Sequence, residues 1–100
     1  MKEIIIEQQK LVLSLKEVCL RCHINAEKVI QFVDYGLVEP EGETHSDWLF
    51  SPEHYLRIRK ALRLQRDLSV NEAGVVLVID LLDRLKTAND EIQYLKKRIK

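Results

Sequence analysis

Several things are scarce in this chain, and each scarcity closes off a class of function. Three glycines leave no Gly-rich loop to cradle a phosphate. The longest uninterrupted apolar run, Val75 to Ile79, is far too short to span a bilayer. The N-terminal run Ile4-Ile5-Ile6, with Glu3 and Glu7 on either side, is too short for the core of a signal peptide. The expected location is therefore the cytoplasm, with both cysteines reduced. Sixteen basic and sixteen acidic residues cancel, and a sequence pI near 6.8 gives no global field toward nucleic acid or an anionic membrane. No His-Pro-Asp occurs, so the chain is not itself a J-protein. Ser14, Ser51 and Ser69 each have a helix-capping explanation and the three histidines have no evident carboxylate partner, so the expectation is a protein that is not an enzyme. One hundred residues make one small domain, in a size range where self-association helps stability.

What the chain does contain is a long helix. From Val78 onward Val78, Leu81, Leu85, Ala88, Ile92, Leu95 and Ile99 alternate three and four apart, the narrow stripe of a coiled-coil seam. Ser69-Val70-Asn71-Glu72 reads as its capping box. Val75, Val76, Leu77, Ile79 and Leu82 broaden the first half, which is expected to pack on a body of residues 1–70, while the second half of 71–100 projects as a seam. Leu85, Ala88, Ile92, Leu95 and Ile99 are the candidate dimerisation residues. With Val78 at heptad position a, a parallel pair sets Glu91 against the partner's Lys96, and an antiparallel one opposes Arg84 and Arg98; the orientation stays open.

Upstream the chain reads as a short strand followed by helices. Ile4 to Ile6 or Leu11 to Leu13 suits the strand equally. Ser14-Leu15-Lys16-Glu17 is a capping box opening a helix to about Cys22, and Asn25 caps another with Ala26, Val29, Ile30 and Val33 on its buried face, stopped by Gly36. Two short helices with a tight connection suggest a helix-turn-helix. Glu39-Pro40-Glu41-Gly42-Glu43 is an acidic turn, and Trp48-Leu49-Phe50 returns as a wing. Ser51-Pro52 opens a helix to about Leu68, with Tyr55, Ile58, Leu62 and Gln65 inward. Between Val12 and Phe50 three basic residues stand against seven acidic ones, a net of minus four, whereas Ser51 to Val70 has five basic against two acidic, a net of plus three.

Cys19-Leu20-Arg21-Cys22-His23 matches the C-x-x-C-H pattern of haem attachment, but no export is expected with so short an N-terminal apolar run, and zinc would need a second Cys pair or an H-x-x-x-H that is missing. The expectation is no metal and no cofactor, with Cys19 a small core residue.

The order of elements, with Tyr35-Gly36-Leu37-Val38-Glu39-Pro40 and Leu49-Phe50-Ser51-Pro52-Glu53, resembles the MerR-type winged helix-turn-helix, which implies a mainly α fold with a long C-terminal helix. MerR regulators hold DNA phosphates with arginine and tyrosines before the glycine turn and an arginine in the wing; the matching positions here are Ile30, Gln31, Phe32 and Trp48. Phosphate contacts dominate DNA affinity, so these replacements remove the binding contribution itself. Glu17-Val18-Cys19-Leu20, the Gly-Leu-Val-Glu-Pro turn, Asp47-Trp48-Leu49-Phe50, Ala61-Leu62-Arg63-Leu64-Gln65-Arg66-Asp67-Leu68 and Asp83 with the leucine-rich tail look like the CbpM-type chaperone modulators. That resemblance implies a non-enzymatic protein that binds the J-domain of a CbpA-like co-chaperone and inhibits its co-chaperone and DNA-binding activities.

J-domains resemble one another in carrying a basic helix that docks on DnaK, and an acidic surface would compete for it. Two surfaces qualify: Asp34, Glu39, Glu41, Glu43 and Asp47 around Trp48, or Asp80, Asp83 and Asp90 on the long helix. The alternative is a MerR-like DNA-binding transcriptional regulator using Arg57, Arg59, Lys60, Arg63 and Arg66, whose plainer explanation is a solvated face.

Overall fold

The computed structural model describes residues 12–99. Ser14 shapes the start of the body. Its Oγ accepts from the Glu17 N–H at 3.1 Å while the Glu17 carboxylate accepts from the Ser14 N–H at 2.9 Å, the reciprocal box read from the sequence. The strand β1 (Leu13–Ser14) thus runs directly into α1 (Leu15–Cys22). Of the two strands considered, the Ile4 to Ile6 choice lies outside the described residues. His23, left-handed at φ 59°, ends α1, and Asn25 opens α2 (Ala26–Asp34) by accepting from the Lys28 N–H at 2.9 Å. This three-residue connection is the turn of the helix-turn-helix.

Gly36 closes α2. Its φ of 90° lets the Leu37 N–H reach back to the Phe32 carbonyl at 2.9 Å and drops Leu37 and Val38 into the core. The acidic turn then folds on itself. Glu41 and Leu49 exchange backbone hydrogen bonds at 3.1 and 2.9 Å, a 3-10 turn spans His45–Asp47, and β2 (Leu49–Phe50) pairs antiparallel with β1, Phe50 opposite Leu13. Gly42, at φ 118°, sits so close to the loop's return that a β-carbon there would stand 2.7 Å from the Asp47 carbonyl oxygen.

Ser51 and Pro52 start α3 (Pro52–Leu68) as expected, with one addition: His54 Nδ1 accepts from the Ser51 N–H at 3.1 Å, completing a box in which histidine replaces the usual acid. The long helix α4 spans Glu72–Ile99, and its start differs from the sequence reading. Ser69 is not its cap. It takes a left-handed conformation at φ 57° and closes α3, its N–H donating to Gln65 O at 2.8 Å. Asn71 caps α4 instead, accepting from the Gly74 N–H at 2.7 Å, and Glu72 pairs with Lys28 of α2 at 2.8 Å. Only three residues separate the helices; the first must end α3, and an N-cap serine needs the extended conformation that Ser69 has given up.

Every element contributes to one core: Leu13, Val18, Val29, Phe32, Leu37, Val38, Phe50, Ile58, Ala61, Val75 and Ile79. Cys19, Tyr55 and Leu62 pack on it half-buried. From α4 only Val75 and Ile79, one turn apart, are fully buried. Every residue from Arg84 to Ile99 is exposed, so about 24 Å of helix stands clear of the body at 1.5 Å per residue. This is the mainly α winged helix-turn-helix with a long C-terminal helix that the sequence led us to expect.

Candidate functional site

Asp34 at the end of α2 and Glu39, Glu41, Glu43 and Asp47 of the acidic turn are all exposed. None of the five has an ion pair or a side-chain hydrogen bond among the described residues. Beside them Trp48 is half-buried. Its ring meets His45 at 4.6 Å and the buried Phe50 edge-on at 5.9 Å, and Phe50 in turn meets His54 at 6.3 Å. Trp48 therefore both closes the wing and offers an outer edge, and the aromatic ladder couples the loop to the core.

The carboxylates of the long helix are in a different state. Asp80 pairs with Arg84 at 3.1 Å, Asp90 with Lys86 at 3.2 Å, and Asp83 with Arg57 at 2.7 Å. Two of these are exposed one-turn pairs worth a few tenths of a kcal/mol. The third joins α3 to α4. The two acidic surfaces weighed from the sequence are thus unequal: one carries unpaired charge, the other is largely neutralised by its own neighbours.

Leu85, Ala88, Ile92, Leu95 and Ile99 all lie exposed on the projecting part of α4, with Ile99 83% exposed, and Leu77 and Leu81 extend the apolar surface back toward the body.

Cations follow the same logic. Arg57, counted from sequence among the basic residues of α3, also donates through Nε to the Leu37 carbonyl at 2.7 Å and so is committed to the fold. Arg59, Arg63 and Arg66 are exposed and, with Arg21 and His23, border a groove of about 330 Å³ between the end of α1 and α3. Sequence reading missed this groove because α1 and α3 are distant in the chain; the four-residue spacing of Tyr55 and Arg59 was its local signal.

The two thiols are half-buried, and His23 serves as the left-handed helix end. Burial pushes the Cys19 thiol up, opposed by a backbone hydrogen bond. It raises Cys22 also, with Arg59 pulling the other way and Cys19 adding to the rise. Neither thiol is activated as a nucleophile. Among the described residues no three His, Cys, Asp or Glu side chains are grouped to hold a metal, and no helix is long and apolar enough to cross a membrane.

Residues 13–97 match the family model described as MerR HTH family regulatory protein. The chaperone modulatory protein CbpM of Pseudomonas putida strain F1 is 34% identical over 87 residues, covering 87% of this chain and 86% of the relative. The chaperone modulatory protein CbpM of Coxiella burnetii strain Dugway 5J108-111 is 31% identical over 96 residues, covering 96% and 90%. The chain belongs to the CbpM family. Within this CbpM-family chain, the α2 stretch compared above with the phosphate-holding positions of MerR regulators has Phe32 fully buried and Ile30 and Gln31 half-buried, with no cation among the three. The turn of this chain carries exposed carboxylates, with the half-buried Trp48 next to Asp47.

Proposed function

We propose that this chain is a non-enzymatic, cytoplasmic chaperone modulator that binds the J-domain of a CbpA-like co-chaperone and inhibits its co-chaperone and DNA-binding activities. The observation that carries this reading is the set of five exposed, unpaired carboxylates, Asp34, Glu39, Glu41, Glu43 and Asp47, beside the half-buried Trp48. Unpaired exposed carboxylates keep their full charge for an incoming basic helix, and an aromatic at their edge is the residue type that most often anchors an interface. Asp80, Asp83 and Asp90 would have to break internal pairs first, which favours the turn as the contact surface. The names of the relatives, chaperone modulatory protein CbpM, support the chaperone side of the reading.

We further propose that two copies pair through Leu85, Ala88, Ile92, Leu95 and Ile99, which would remove the exposed apolar stripe from water. A DNA-binding role is disfavoured by the tie-up of Arg57 and by the carboxylates around the wing.

Mixing the purified protein with a CbpA-like J-domain, and following heat of binding together with J-stimulated DnaK ATPase, tests the function. Binding with inhibition is expected; absence of both at tens of micromolar rejects it.

A further inference from the structure

The groove between α1 and α3 takes no part in the surfaces described above, and its composition is unlike the rest of the molecule. Arg59, Arg63 and Arg66 follow one another at four and three residues along one side of α3, covering about 10 Å. Arg21 faces them from the end of α1. The guanidinium groups of Arg21 and Arg59 both lie over the Tyr55 ring, at 6.0 and 5.7 Å from its centre. That stacking orients two forked cations that would otherwise sample many rotamers. None of the four arginines has an ion-pair partner among the described residues, although the whole chain holds as many acids as bases. Cys22 and Leu62 also line the groove.

We propose that this groove is a docking site for an acidic peptide segment of a second protein, distinct from the partner bound at the carboxylate-rich turn. Carboxylates at alternate positions of an extended peptide stand about 7 Å apart, close to the roughly 6 Å rise from Arg59 to Arg63. Each can take a forked pair of hydrogen bonds from a guanidinium. Leu62 beside the guanidinium groups leaves room for an occasional aliphatic side chain among the acids. Nucleic acid fits less well: a duplex is too broad to enter a groove of about 330 Å³, and the Tyr55 ring, already under two guanidinium groups, is not free to stack a base. The inference stands whether or not the turn binds a J-domain, because the two surfaces share no residue.

The test is titration of the full-length, isotope-labelled protein with a ten-residue peptide of glutamate and leucine, read by amide shifts, alongside a 20-base-pair random duplex and tripolyphosphate. Saturable shifts are expected at Tyr55, Arg59, Arg63 and Arg66 with an affinity of order 100 µM, falling at least tenfold in Arg59→Glu/Arg63→Glu and unchanged in the remote Lys97→Glu. Helical circular dichroism reports whether the reversal variant folds; if it does not, Arg63→Gln/Arg66→Gln is read in the same way, with at least a threefold loss expected. Absence of saturation at millimolar peptide, equal binding by the folded variants, or tighter binding of duplex or tripolyphosphate at these residues overturns the proposal. So does sedimentation showing that the groove instead takes the acidic turn of a second copy at low salt.

Discussion

Arg57 and Asp83 meet at 2.7 Å across the α3–α4 junction, while the same guanidinium donates to the Leu37 carbonyl just past the glycine turn. One side chain thereby fixes the end of the helix-turn-helix, the helix after the wing and the base of the projecting helix. Arg57→Ala is expected to destabilise the protein by about 2 kcal/mol, most of it from leaving the carbonyl of the buried Leu37 without its charged donor. Asp83→Asn alone costs about 0.5 kcal/mol, since the pair is partly exposed. Urea unfolding of both single variants and the double variant checks this; additive losses would mean the two side chains do not act together.

Arg57 also shows what a sequence leaves hidden. Its charge was legible and its use was not, because both partners, at 37 and 83, are far away in the chain. The capping boxes at Ser14 and Ser51 and the stop at Gly36 were legible because their hydrogen bonds close within a few residues. The Ser69 box failed although its pattern was just as good: a local pattern does not record that the preceding helix needs the same residue to end. For the same reason two acidic surfaces looked equivalent until the cations beside Asp80, Asp83 and Asp90 were in place.

A second electrostatic tie carries a pH dependence. The Lys28 ammonium, bonded at 2.8 Å, is the main cause holding the Glu72 carboxyl below its ordinary value of 4.5. A depressed carboxylate adds stability that is complete above the ordinary value and is lost as pH falls through it and below. Lys28→Met should therefore flatten the fall in stability below about pH 4.5 while lowering stability at pH 7 by about 0.5 kcal/mol. Chemical unfolding at pH 7, 5, 4 and 3 measures both effects; parallel curves for the two proteins would contradict the assignment.

The wing depends on Gly42. At φ 118°, with the Asp47 carbonyl oxygen 2.7 Å from where a β-carbon would sit, Gly42→Ala both strains the backbone and forces the loop apart. A loss of about 1–3 kcal/mol is expected, with a shift in Trp48 fluorescence as the His45 and Phe50 ring contacts are disturbed. An unchanged emission spectrum would mean that the loop absorbs the extra carbon elsewhere.

The projecting helix is tested by Ile92→Lys/Leu95→Lys. Both residues lie beyond the last core contact at Ile79, so the body should fold unaltered and the helix lose its pairing surface. Sedimentation should then show a dimer for the unmodified protein and a monomer for the variant. A monomeric unmodified protein at high concentration, or a dimeric variant, would assign the stripe to some other contact.

In the proposed function the unpaired carboxylates of the turn receive a basic J-domain surface. The most direct measurement of this contact is calorimetric titration of a CbpA-like J-domain into three proteins: the unmodified chain, Glu39→Lys/Glu41→Lys/Glu43→Lys, and Asp80→Asn/Asp90→Asn. Saturable binding by the first is expected at tens of micromolar or tighter, with a loss of at least tenfold in the second and near-unmodified affinity in the third. No saturable heat with the unmodified chain, or equal affinity in the charge-reversed variant, would contradict it.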